Sequence, residues 1–510
     1  MIRIKCHFSF KSAVKSAVFC GAFLVLGACS LSKTSVELPR SEAANWESEA
    51  VTRLAEISPE RFDAATFWDQ FDNPTLTGLI AEANRENLTL QLAALRILDA
   101  RLRLRVRGAQ LAQGPQPVIA TATGGYAANA LAGGRIVDND FLFGDLGISS
   151  AWEIDVFGRL ARAKDASRGN LGIASARAQD ASLLITSEVA RRYFALQTAR
   201  LRLRIAEENL AKQERSTEIA QNQFRFGVGN ELDVAQARAQ AVATSASLAL
   251  RREAIERELS ALAVLVGRLP GELEVPEFPL RLPDDAALSA PGSNLLLRPD
   301  VRAAALAVNV EAARLDISRA QLKPGFVIAG SLGLTRTTSG GLTNAITENL
   351  AGALRVPLFD FGRLRNAVAL QDVRLEQAIV RYEQTVLEAA DEINVAAIAL
   401  LRAREERLAR KEALAIANRS LELAQLRYRE GLSDLDRVLR AQEAVLRQAD
   451  AQAIALGREA SAMTQLYRNL AGAELAGPVA PTRASTKRME KRGFIQNENL
   501  PSTESLEPTK

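Results

Sequence analysis

"LFGDLGISSAWEIDVF", Leu142 to Phe157, puts Leu142, Leu146, Ile148, Trp152, Ile154 and Val156 in one phase of a two-residue period and Asp145, Ser149, Glu153 and Asp155 in the other. That alternation belongs to a strand with one apolar and one polar face. Directly beyond it, from Gly158-Arg159, the pattern changes. The segment from Arg159 to about Phe226 has no proline and is dominated by Ala, Leu, Arg and Glu, side chains that lose little entropy in a helix. At about 1.5 Å per residue such a helix is on the order of 100 Å long, more than a globular domain can hold. A strand that runs straight into a very long helix is therefore the unit from which this fold is built.

The same junction is written twice. "WEIDVFGRLARAK" from Trp152 corresponds to "LRVPLFDFGRLRNAV" from Leu354, with Gly158-Arg159 matching Gly362-Arg363 at an offset of 204 residues. Further on, "RFGVGNELDVAQARAQ" (Arg225 to Gln240) corresponds to "RYREGLSDLDRVLRAQ" (Arg427 to Gln442). Here Gly229 aligns with Gly431 at an offset of 202, and Leu232-Asp233 with Leu435-Asp436 at 203. A nearly constant offset implies duplication of a whole structural unit. In the first copy Leu196, Leu203, Leu210, Thr217 and Phe224 recur every seven residues, with Ala199, Ala206 and Ala220 on the seam between them, the pattern of a coiled coil. The turn glycines Gly229 and Gly431 predict antiparallel hairpins whose second helices return to about Val266 and Leu470.

Period-two alternation predicts four strands, at about 118–129, 142–157, 326–337 and 349–359. In the first, Val118, Ala120, Ala122 and Tyr126 oppose Thr121, Thr123 and Gly125; in the last, Leu350, Leu354, Val356 and Leu358 oppose Ala351, Ala353 and Arg355. Such strands suit either an outer-membrane barrel or a water-soluble antiparallel sheet. Because single-chain membrane barrels begin at roughly eight strands, four from this chain must be completed by other copies, two or three in all. The stretch "RLRLRVRG", Arg101 to Gly108, reads as part of a helix continuing from Thr75, its arginines at solvent or at a subunit contact.

The N-terminus reads as a secretory signal over 1–28: Arg3, Lys5, Lys11 and Lys15 precede an apolar run from Ala17 to Leu26. Leu26-Gly27-Ala28-Cys29 resembles the lipobox of bacterial lipoproteins, in which the cysteine is lipidated and becomes the first mature residue. Ser30 follows it, and the resemblance to enterobacterial lipoproteins favours outer-membrane delivery because their inner-membrane retention signal is an aspartate there. Cleavage before Cys29 would remove Cys6, Cys20 and the single histidine, His7. The mature chain then has no internal disulfide, no Cys/His zinc site and no histidine-based catalytic arrangement. It also has 60 basic against 60 acidic residues, so nucleic acid is not an implied partner. No catalytic, cofactor or metal residues are assigned.

The mature chain resembles the TolC-like outer-membrane efflux family, most closely its lipoprotein branch serving RND drug and metal pumps. The resemblance rests on Cys29, "FWDQFDNPTLTGLIAEANRENLTL" from Phe67, "AWEIDVFGR" ending at Arg159, "LLLRPDVRAA" from Leu295, "PLFDFGRLR" from Pro357 and the paired glycine turns. It implies an α+β fold: a long antiparallel helical coiled-coil barrel, with four strands per chain in a trimeric, twelve-stranded transmembrane β-barrel. The expected organisation is a lipid-anchored extension at 29–74, repeats at 75–270 and 295–476, an equatorial linker at 271–294 and a tail at 477–510. The expected partners are two more copies, a periplasmic adaptor, an inner-membrane pump and outer-membrane lipid in a Gram-negative bacterium. The implied function is a passive exit duct; a type I secretion channel, a cell-wall enzyme and a structural periplasmic coiled coil are the alternatives. By the resemblance, the segment around Asp436 lines the periplasmic constriction. Asp233, Asp436, Arg437 and Arg440 are thus aperture candidates, either as a cation-attracting ring with inter-tip salt bridges or as a local Asp436–Arg440 pair.

Overall fold

The computed structural model describes residues 33–36, 46, 48–57, 66–112, 116–127, 130–132, 135–137, 141–283, 292–338 and 343–470. In chain order they form α1 (Glu49–Ile57), a 3-10 turn (Phe67–Phe71), α2 (Pro74–Glu86), α3 (Leu88–Ala112), β1 (Gln116–Ala127), the short β2 (Ala130–Ala132) and β3 (Arg135–Val137), and β4 (Phe141–Ile154). Then come α4 (Arg159–Arg225), α5 (Glu231–Leu265), a second 3-10 turn (Gly292–Leu297), α6 (Pro299–Ala320), β5 (Gly325–Thr337), β6 (Thr343–Arg355), α7 (Arg363–Arg429) and α8 (Leu435–Leu470). The described residues fall into two compact units, one drawn from those within 1–38, 99–172 and 305–381, the other from those within 39–98, 173–304 and 382–470. Each sequence repeat contributes to both.

The first unit contains an antiparallel sheet in the order β1-β4-β5-β6. Its register aligns like with like: Ile148 faces Ala120 and Leu332, while Leu146 faces Ala122 and Leu334, and Leu334 in turn faces Ile346. One-residue slips would send every side chain to the other face, so these apolar rows fix the pairing. Three predicted strand bounds need correction. β1 is 116–127 rather than 118–129, and β4 stops at Ile154 because Asp155 turns to cap α4, accepting hydrogen bonds from Leu160 N and Ala161 N at 3.0 and 2.8 Å. β6 runs 343–355, not 349–359. Its start is fixed by pairing Thr343 with Thr337, and Pro357, which has no amide hydrogen to donate, lies just past its end. Leu354, predicted midway along a strand, is therefore near a strand end. Beside the sheet, α4 and α6 approach closely at Gly169, where a Cβ would lie 2.5 Å from Val310 Cγ2.

The second unit is helical. Its N-terminal part is pinned by an aromatic cluster in which Trp68 lies 4.6 Å from Tyr467 and Phe71 lies 5.2 Å from Phe194, centroid to centroid. Asn73 caps α2 by accepting from Leu76 N at 3.1 Å, and its amide donates to the Tyr193 hydroxyl at 2.8 Å. The helix expected to continue from Thr75 is interrupted once: Asn87 has ψ 125° and its side chain accepts from Thr89 N and Leu90 N, ending α2 and starting α3. Arg101 to Gly108 is helical within α3, as expected.

The two copies of the long helix are the same length, 67 residues in α4 and in α7. Both end in the same Schellman closure. Gly227 N donates to Phe224 O and Val228 N to Gln223 O; Gly431 N donates to Tyr428 O and Leu432 N to Arg427 O. Gly227 (φ 75°) and Gly431 (φ 72°) hold the left-handed position, which L side chains avoid. The structural equivalent of Gly431 is thus Gly227; Gly229 lies two residues further along the same turn. The offset is 204 at the helix starts, at this turn and at the starts of α5 and α8. Consequently Asp233, third in α5, matches Arg437 rather than Asp436.

Candidate duct wall and hairpin tips

The two faces of the sheet differ in chemistry. The apolar face carries Leu142, Leu146, Ile148, Trp152, Leu334, Ile346 and Leu350, all exposed, interrupted by Arg336 and by Glu348, which pairs with Leu332. The opposite face carries Thr121, Asp145, Ser149, Ser331, Thr335, Thr347 and Asn349 with Gly147 and Gly333 between them. Those glycines make room for hydroxyls: a Cβ on Gly333 would lie 2.7 Å from Thr347 Oγ1, and one on Gly147 3.2 Å from Thr121 Oγ1. Strands β1 and β6 each pair on one side only within the four-stranded sheet, so two ladders of backbone hydrogen-bonding groups stand open. No described helix is long and apolar enough to cross a membrane.

Cys29 lies outside the described residues. The nearest described stretch, 33–36, is held by Thr34. Its amide donates to Asp316 Oδ2 (3.1 Å) and its hydroxyl to Asp316 Oδ1 (2.5 Å), while the hydroxyl accepts from Arg319 Nη1 at 3.0 Å. Asp316 is 3% exposed, so this N-terminal segment completes the hydrogen bonding of an otherwise buried carboxylate.

At the hairpin tips, Asp436 accepts from Arg440 within one turn of α8. Asp233 sits in the first turn of α5, where its amide donates to the Asn230 side chain at 2.8 Å. Among the described residues, neither Asp233 nor Arg437 makes an ion pair. Around the turns Phe226, Val228, Leu232 and Leu432 stand in solvent. Sequence inspection passed over these apolar residues because a heptad count assigns nothing to the turn between two helices.

Above the tips the helices are tied by charge. Arg202 grips Asp450 through Nε and Nη2 at 2.8 and 2.9 Å, and Arg251 Nη1 reaches the same carboxylate at 2.8 Å, joining α4, α5 and α8. Burial pushes the Asp450 carboxyl up, but the two guanidinium bonds outweigh it and hold it below the usual range. Glu459, 1% exposed, is held by Arg404 and Arg407 of α7. Asp180 goes the other way: burial, then repulsion from Asp300, raises it. Asp450 and Glu459 are structural ties. No group of His, Cys, Asp and Glu able to hold a metal occurs among the described residues.

Comparison with known proteins agrees with this geometry. Residues 79–268 and 290–472 match the model of the outer membrane efflux protein family. The cation efflux system protein CusC of Escherichia coli K12 is 30% identical over 390 residues, 74% of this chain and 82% of that protein. The pyoverdine export outer membrane protein OpmQ of Pseudomonas putida is 26% identical, over 90% of this chain and 97% of its own. Among solved structures, the outer-membrane channel OprN superposes with a TM-score of 0.80 at 28% identity, covering 87% of this chain and 99% of that one.

Proposed function

The chain belongs to the outer membrane efflux protein family, and we propose that it is a passive, trimeric exit duct, fed by an inner-membrane RND-type pump through a periplasmic adaptor. As a channel component of an efflux system it works in the outer membrane of a Gram-negative bacterium. The observation that carries the finer reading is the four-stranded sheet with one apolar face, one hydroxyl- and glycine-rich face and two open edges. An apolar face in lipid and a polar face around water is the division a membrane barrel needs, and open edges need other copies to close them. Three chains would supply twelve strands.

In this reading the polar face lines the duct, and Cys29 carries a lipid that adds to the anchoring of the barrel. The helical hairpins form the periplasmic part. The adaptor would cover the apolar residues at their turns, and Asp233, Asp436, Arg437 and Arg440 would surround the periplasmic aperture. The relatives are named for cation efflux and for pyoverdine export, and cargo for this chain lies within that range of small molecules.

The test is a paired substitution across one strand. Ile148→Arg puts a cation into lipid and should cost about 2 to 4 kcal/mol if it lies near the midplane. Ser149→Arg, on the other face, should be tolerated. Oligomer recovered from outer membranes and its conductance in planar bilayers are the readouts. Equal tolerance of both substitutions, or a reversed ranking, would remove the barrel assignment.

A further inference from the structure

Where the sheet gives way to the long helices, the first unit carries a cavity of about 660 Å³ that is open to solvent. Four of the strand residues lining it, Glu153, Gly325, Val327 and Arg355, belong to the polar face. The cavity is also lined by four cations, Arg159, Lys323, Arg355 and Arg363, against two carboxylates, Glu153 and Asp155.

Both carboxylates are already engaged. Glu153 accepts from Arg159 Nε at 3.1 Å and Nη2 at 2.8 Å, and Asp155 caps α4. Among the described residues, Lys323, Arg355 and Arg363 make no ion pair, although all three are exposed; Arg363 lies within electrostatic reach of Asp360. The duplication explains one of the free charges. Arg363 is the counterpart of Arg159, and at the same offset of 204 Pro357 stands where the first copy has Glu153. The nearby Asp360 accepts instead from the amides of Gly362 and Leu364. Like charges brought to one wall focus a positive potential into the adjoining space, and two guanidinium forks with an ammonium suit carboxylate or phosphate groups.

We propose that this cavity is a binding site for compact polyvalent oxyanions, with Lys323, Arg355 and Arg363 as its donors. Resting on the duct reading, the site gives the cargo class: solutes bearing several carboxylates or phosphates, negatively charged metal chelates among them, pass more readily than bare metal cations. Anionic lipid headgroups share the chemistry, but the cavity lies against the polar face of the sheet rather than the apolar one.

The probe is citrate. Titration calorimetry on the full-length protein purified in uncharged detergent should show binding. Lys323→Gln, Arg355→Gln and Arg363→Gln should each weaken it by about 10-fold. Glu153→Gln, which releases Arg159 as a fourth donor, should tighten it, a gain that a misfolded variant cannot mimic. In bilayers of phosphatidylcholine, a KCl gradient should give an anion-selective reversal potential, and citrate should block.

No citrate binding by the wild type, or equal binding by the three Gln variants, overturns the site. Occupancy only when phosphatidylglycerol is supplied transfers it to lipid and overturns the cargo class, as does a cation-selective pore. Citrate binding by a protein that conducts no ions leaves the site standing and overturns the duct.

Discussion

At the first hairpin turn Phe226 and Val228 are 80% and 78% exposed and Leu232 follows them into solvent; at the second, the returning helix opens with Leu435, Val438 and Leu439, each 5% exposed or less. Three backbone hydrogen bonds correspond at the two turns, those donated by Phe226, Gly227 and Val228 and by Glu430, Gly431 and Leu432, and the first turn adds one from Gly229 N to Gln223 O. The difference lies in what each return helix meets. Leu435, Val438 and Leu439 of α8 form one cluster with Ala220, Ala237 and Ala424 from α4, α5 and α7. The fully buried members from the other three helices are alanines, with Val234, Leu421 and Tyr428 packed around them, so α8 supplies the large buried side chains of this cluster. Both turns present apolar surface, at Val228 and at its counterpart Leu432, but only the second return helix buries large side chains, since a helix terminus is set by backbone bonding and its burial by neighbours.

The largest test of that asymmetry is Leu439→Ala. It should cost about 2 to 5 kcal/mol by leaving a cavity among side chains that cannot collapse onto it, whereas Leu232→Ala, at an exposed site, should change stability by less than about 0.5 kcal/mol. Hydrogen exchange of the tip segments measures both. Similar protection in the two variants would mean that the tips are packed alike.

Next is the charge tie above the tips. Asp450→Asn should destabilise the helices by about 1 to 2 kcal/mol, a figure reduced for screening because Arg202 is 36% exposed. The folded-state pKa of Asp450 is depressed, so its contribution is present above its ordinary value of 3.8 and lost as pH falls through the lower folded value. Acid titration of helix stability should therefore show a limb that Asp450→Asn removes; an unchanged acid limb would place the pH sensitivity elsewhere.

The turn glycines come third. Gly227→Ala and Gly431→Ala should each cost about 1 to 2 kcal/mol from left-handed backbone alone, since a Cβ at either place meets nothing within 4 Å. Gly229 differs: its Cβ would press on Gln223 Cβ at 3.0 Å and Phe224 N at 3.1 Å, so its cost depends on a small local shift. Loss at Gly431 without loss at Gly227 would break the equivalence of the two glycines. The smallest effect belongs to Arg440→Ala, about 0.2 to 0.5 kcal/mol for an exposed i,i+4 pair; a larger loss, measured by the same exchange, would show that Arg440 also serves a contact beyond its own helix.

Much of this protein was legible before folding. Period-two alternation around Ile148 and the proline-free runs beyond Arg159 and Arg363 determined four long strands and the span of the long helices, because side-chain periodicity is a local property of backbone geometry. The duplication was legible for the same reason. Strand ends were less so: β6 starts at Thr343 because β5 offers Thr337 as its partner, and no alternation within β6 announces that. The repeat register was misread by two residues at Gly229, because matching letters do not reveal which glycine must take a positive φ. The Asp436–Arg440 contact, being i,i+4 within one helix, was already readable as a local pair; the folded structure was needed to show that Asp233 matches Arg437 and that Lys323, Arg355 and Arg363 line one cavity. The three cations come from a turn, a strand and a helix, and only the packing of the first unit brings their charges to a common wall, where desolvation and mutual distance set what they can bind.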